Sequence, residues 1–157
     1  MEKEYVYIAR IITHLGEFLP YYYKIGKTTK QYKIRETQLS PTHLPFDVLM
    51  VRVFEVKDCH KTEIIFQTCF DDYTVTKEYT DRKSITTEWL YMVTDEEKLY
   101  NRLDKIVKYS DDITEIDLLK DIQEEVGPTK EEKEKLITKF RKSKTRLILS
   151  EIGRAHV

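Results

Sequence analysis

Two short runs, Tyr5-Val6-Tyr7-Ile8 and Tyr23-Lys24-Ile25-Gly26-Lys27-Thr28, constrain the fold of this chain more than any other stretch. Both carry the β-branched and aromatic residues that pack on a pleated surface, with the two-residue alternation of a strand. Gly16 and Pro20 punctuate the interval, so the pair predicts a β-hairpin with a broad loop. Side chains alternate faces along a strand, so Tyr23 and Lys24 cannot both point to the same side.

Downstream, Thr28 or Thr29 is the expected N-cap of a short helix running to about Leu39 and closed by Ser40-Pro41, with Tyr32, Arg35 and Leu39 on one face. Val48 to Val56 is apolar at nearly every position, as in a strand covered on both sides, and is expected to be the central or third strand. Asp58 caps a helix to about Phe70. Its expected apolar stripe is Thr62, Ile65, Phe66, Cys69 and Phe70, with Glu63 at the margin. Tyr73 to Ser84 is polar and reads as a loop or short hairpin before Thr86 to Tyr91, a strand or turn.

From Thr94 the period becomes helical. Capping boxes occur at Thr94 to Glu97 and Thr129 to Glu132, with a looser form at Thr114 to Asp117. Leu99, Leu103, Ile106 and Val107 make one stripe, Leu118, Leu119, Ile122 and Val126 a second, and Leu136, Ile137 and Phe140 begin a third. These helices could pack on the preceding domain, on each other, or on another chain, giving a homodimer or a contact with a further domain.

Together with Arg35, Glu63 and Thr87-Glu88-Trp89, the two opening strings resemble the GIY-YIG nuclease superfamily. Val6-Tyr7 stands at the end of GIY, Lys24-Ile25-Gly26 in place of YIG, Arg35 in the following helix and Glu63 in a later one. The string Lys24-Ile25-Gly26-Lys27-Thr28 and the late Glu88-Trp89 pair are closest to the branch named for bacteriophage T-five open reading frame 172, often labelled a phage DNA-binding domain. The resemblance spans roughly residues 5 to 92. It implies an α+β fold, a small three-stranded antiparallel sheet flanked by helices, here with a C-terminal helical extension. The expected division is residues 1–93 for that domain, 94–150 for the extension, and 151–157 as the translation of a sequencing adapter.

The resemblance also implies roles. Tyr7 would orient or activate water, Lys24 would serve as base or phosphate clamp, Arg35 would bind the scissile phosphate, and Glu63 would hold one divalent ion, Mg²⁺ or Mn²⁺. Glu88 would support these groups. Two positions depart from the superfamily pattern: Lys24 replaces a tyrosine, and Leu39 stands where several members carry histidine. Each role has a plainer counterpart, with Tyr7 as strand packing, Glu63 as a solvated helix residue and Trp89 as a core plug.

Composition bounds these readings. The chain has 157 residues, 40% hydrophobic and 35% charged, with a net charge of −1. That is enough for a packed core, and the near-neutral balance argues against coating nucleic acid by bulk charge. The charge is distributed unevenly, however: Lys24, Lys27, Lys30, Lys33 and Arg35 run without an acid among them. Lys27, Lys30 and Lys33 are the candidate DNA contacts. No apolar run approaches a membrane span, and Met1-Glu2-Lys3-Glu4 does not open a signal peptide, so an intracellular protein, in the cytoplasm or nucleus of a host cell, is expected. Cys59 and Cys69 lie about 15 Å apart along one expected helix and read as free buried thiols. No histidine is spaced with them for zinc. Three function classes follow: a metal-dependent endonuclease of phage, viral or mobile-element type acting on DNA, a DNA-binding module of the same fold without catalysis, and a helical interaction scaffold.

Overall fold

The computed structural model describes residues 2–40, 42–93, 96–120, 147–149 and 151. The first strand, β1 (Glu4–Thr13), is buried from Tyr5 to Arg10 and lies inside a six-stranded sheet. It pairs antiparallel with β2 (Tyr22–Thr28) on one side and β3 (Phe46–Val56) on the other. The register sets Tyr5 opposite Thr28, Tyr7 opposite Gly26 and Ala9 opposite Lys24. In the broad hairpin loop, Gly16 adopts φ 76° and donates to the Thr13 carbonyl at 2.9 Å; Tyr21 is the one non-glycine residue with positive φ among those described. A bulge between Ile8 and Ala9 shifts the pairing with β3.

Each face of the sheet has its own cover. Tyr5, Tyr7, Ala9, Val48, Met50 and Val53 pack with Tyr32 and Leu39 of α1 (Tyr32–Leu39). Val6, Ile8, Tyr23, Ile25 and Phe54 pack on the other face, against Phe66 of α2 (Cys59–Cys69) and Leu99, Tyr100 and Leu103 of α3 (Glu96–Lys108). Lys24 and Tyr23 therefore point to opposite faces, as alternation requires; the Tyr23 hydroxyl donates to Glu96 at 2.6 Å.

The fold is α+β with an antiparallel sheet, but the sheet has six strands rather than three, in the order β4-β5-β2-β1-β3-β6. β4 (Thr74–Lys77) and β5 (Ile85–Tyr91) form a second hairpin, entered through a short 3₁₀ turn at Asp71–Tyr73. Their mostly exposed, polar sequence masks the strand propensity of Thr74, Val75, Thr76 and Ile85. β6 (Ile113–Glu115) is too short to show a period and takes in Thr114, so the helix start expected from Thr114 to Asp117 comes at Asp117 instead, whose side chain accepts from the Leu119 and Lys120 amides at 3.1 and 3.2 Å. Arg52 of β3 ties these parts together, donating to Asp104 of α3 at 2.7 Å and to both carboxylate oxygens of Glu115 at 2.6 and 2.9 Å. Arg10, also buried, pairs with Glu151, which accepts from Tyr100 as well.

Local caps differ in detail. Gln31, not Thr28 or Thr29, caps α1, its side-chain oxygen accepting from the Lys33 and Ile34 amides. The Thr28 hydroxyl accepts from the Lys30 amide at 2.9 Å, shaping the turn before the helix. Asp58 caps α2 as expected, accepting from the Lys61 amide at 3.1 Å. α3 begins just after the Thr94 box, whose first residues fall outside the description. Of the second expected helix, with its stripe from Leu118 to Val126, residues 118–120 are helical, and the remainder, with the third helix from Leu136 to Phe140, lies outside the described residues. No helix among the described residues is long and apolar enough to cross a membrane.

Candidate active site

β1, β2 and β5 set out the first half of the site. Tyr7 is fully buried, its ring lying across Gly26 of the neighbouring strand. A Cβ at Gly26 would come within 2.3 Å of the Tyr7 Cζ and hydroxyl, so only glycine admits the phenol there. Lys24, two residues before Gly26 and on the same face, places its ammonium 3.5 Å from the Tyr7 hydroxyl and 3.1 Å from a Glu88 carboxylate oxygen.

β5 pairs with β2 only as far as Lys24 and Trp89. There the Thr87 hydroxyl accepts from the Trp89 amide at 3.1 Å and donates to the Val75 carbonyl at 2.8 Å. Past Lys24, that edge of β2 has no strand partner among the described residues.

The second half lies on the other face. Lys27, three residues after Lys24, points towards α2, where its ammonium donates to Glu63 Oε1 at 3.0 Å and to His60 Nδ1 at 2.9 Å. The Glu63 hydrogen bond raises the Lys27 pKa, partly offset by burial, and Glu63, Cys59 and Glu88 reinforce it by charge. Glu88 thus touches Lys24 directly, and its charge is the smallest of the influences that raise the Lys27 pKa.

Glu63 is more deeply placed than a helix margin implies. Asp58 sets the phase of α2 so that Cys59, Thr62, Glu63 and Phe66 turn inward, whereas Ile65 and Cys69 of the expected stripe are exposed. The second oxygen of Glu63 is buried with no hydrogen-bond partner. Leaving such an oxygen dry costs about 1–3 kcal/mol unless something takes it up. No group of three or more His, Cys, Asp or Glu side chains that could hold a metal ion occurs among the described residues, so Glu63 is the candidate metal carboxylate without a ready-made cluster around it.

The remaining candidates spread along α1. Arg35 is half-buried on the helix that covers the Tyr7 face and makes no hydrogen bond or ion pair with a described residue. The Lys33 ammonium lies 6.0 Å from the Tyr32 ring centroid, and Lys30 is exposed in the preceding turn. The basic strip is therefore split: Lys24 and Lys27 face carboxylates, while Lys30, Lys33 and Arg35 lead away over α1. Leu39, in place of the superfamily histidine, packs against the core of that face. Two groups received too little weight from sequence. Glu88 is expected only as a supporting group, and no histidine is given a metal role, although His60 and Glu63 are spaced i, i+3 on one helix face.

Residues 4–109 match the family described as the T5orf172 domain. Neither a curated protein nor a solved structure matches the chain.

Proposed function

Because the chain belongs to the T5orf172 domain family, a nuclease-like or DNA-binding branch of the GIY-YIG superfamily, we propose that it is a divalent-metal-dependent endonuclease acting on DNA. The observation that carries this reading is the buried Glu63 carboxylate, one oxygen unpartnered and the other 3.0 Å from the Lys27 ammonium, with the Tyr7 phenol and the Lys24 ammonium set together on the opposite face of the same sheet.

Hydrolysis of a phosphodiester requires a positioned water, neutralisation of charge developing on the phosphoryl oxygens and help for the departing oxygen. Tyr7, held by Gly26 and Lys24, orients the attacking water through its hydroxyl. Lys24 and Arg35 bind the scissile phosphate, Arg35 through the planar fork that suits phosphate oxygens. Glu88, 3.1 Å away, aims the Lys24 ammonium. Glu63 would hold the ion, which when bound would supply positive charge for the phosphate and the leaving oxygen. Lys30 and Lys33 contact the flanking backbone.

Supercoiled plasmid incubated with Mg²⁺ or Mn²⁺ tests the assignment. The wild-type chain nicks it, and Glu63→Ala lowers the rate by roughly 100-fold or more while leaving DNA binding intact. One observation favours a second reading, a DNA-binding module without catalysis: the Lys27 ammonium occupies the position beside Glu63 that an ion would take. Binding by both proteins with cleavage by neither would select it.

A further inference from the structure

The contact between α2 and Lys27 carries information that a lone metal-binding glutamate does not. An ammonium has only hydrogen to offer, so at 2.9 Å the His60 Nδ1 must present its lone pair to Lys27 Nζ, and the imidazole is the Nε2–H tautomer. Glu63 Oε1 presents a second lone pair to the same nitrogen at 3.0 Å. Two donors from successive turns of one helix thus converge on a single cationic centre. Beside them the second Glu63 oxygen waits unpartnered, on a side chain only 6% exposed.

We infer that His60 and Glu63 form a two-donor site for a first-row transition-metal ion, and that Lys27 is the resident cation that such an ion displaces. The inference rests on the metal-dependent reading above and extends it to a second protein ligand and a metal class. Lys27 can yield: its side chain is 36% exposed, and a four-carbon stem lets the ammonium swing outward. The donors then close from hydrogen-bond distance towards the roughly 2.0–2.1 Å of a metal–imidazole bond. The unpartnered oxygen offers a third contact. A nitrogen donor beside a carboxylate favours Mn²⁺, Co²⁺ or Zn²⁺ over Mg²⁺, which prefers oxygen alone.

Calorimetric titration of the purified chain with MnCl₂ and MgCl₂, together with pulsed EPR of the Mn²⁺ complex, tests this without any cleavage assay. The expected results are tighter binding of Mn²⁺ than of Mg²⁺, a nitrogen coupling in the EPR of the wild type, and several-fold tighter Mn²⁺ binding by Lys27→Met. His60→Ala, and the polar His60→Gln, should lose the nitrogen coupling and weaken Mn²⁺ binding about tenfold or more. His60 is exposed, so neither substitution threatens the core. If Mn²⁺ binding disappears in Glu63→Ala but is unchanged in the His60 and Lys27 variants, with no nitrogen coupling, this inference falls and the Glu63 reading stands. If Glu63→Ala binds Mn²⁺ as the wild type does, both fall.

Discussion

Gly26 shows how one residue depends on another across the sheet. As a glycine in a strand it was visible from sequence, but its purpose was not: strand glycines weaken a sheet unless something needs the space. The claimant is the Tyr7 phenol, and only the register that sets the two residues opposite each other reveals it. Gly26→Ala should push the ring off its place, destabilise the protein by about 1–3 kcal/mol as overpacking does, and slow plasmid nicking beyond what that loss explains. Urea denaturation of the variant, with nicking measured well below the transition, separates the two effects. The choice between Tyr23 and Lys24 was also open at the level of residues, since alternation says only that they part. The Tyr23 hydroxyl bound to Glu96 and the Lys24 ammonium beside Tyr7 show which way each goes.

At the scale of elements, α2 was legible in its limits and misjudged in its phase. The cap at Asp58 was plain, but Ile64 and Ile65 are both apolar, and the stripe drawn through Ile65 turned Glu63 to the margin. Both isoleucines are exposed, at 48% and 43%, and Glu63 is buried at 5%. The helix therefore places its cysteines in opposite settings: Cys59 is buried and Cys69 exposed, so the second is free but not buried as expected. Burial, reinforced by the Glu4 carboxylate, pushes the Cys59 thiol up to about 11. A raised thiol pKa means the thiolate is scarce throughout the neutral range, and the thiolate is the reacting form. At pH 8 a disulfide reagent should titrate Cys69 promptly in the folded protein and Cys59 only after denaturant is added. Cys69→Ser should abolish the prompt phase.

Over the whole molecule, the sequence revealed the strands that build the centre, left β5 open between strand and turn and β4 within a loop or short hairpin, and missed β6. β1, β2 and β3 carry long runs dense in buried residues, so their pattern is strong; β4, β5 and β6 are short or mostly exposed, and only pairing with a neighbour identifies them. The site follows the same division. Motif order singled out Tyr7, Lys24, Arg35 and Glu63 as candidates, of which the fold sets Tyr7 beside Lys24, whereas the contact of Glu88 with Lys24 needed the pairing of β5 with β2. The charge distribution has a measurable consequence. Net charge is −1, so on the proposed function DNA is held by local cations rather than by bulk charge. With Lys30, Lys33 and Arg35 as phosphate contacts, the logarithm of the duplex binding constant should fall with the logarithm of salt with a slope of about −3. Replacing Lys30 and Lys33 by alanine should reduce that slope by about 2, read by fluorescence anisotropy at several salt concentrations.

The central position of β1 bears on how the chain is made. One edge of β1 is taken by β2, complete at Thr28, but the other waits for β3, which ends at Val56. At ribosomal speeds of roughly 5–20 residues per second, the interval lasts on the order of 1–6 s. Throughout it, a nascent hairpin rich in tyrosine, valine and isoleucine shows an unpaired edge, the form in which strands recruit the wrong neighbour. Newly synthesised chains brought close together during that interval are the ones exposed to such mispairing, which the finished sheet, with β1 paired on both edges, no longer offers.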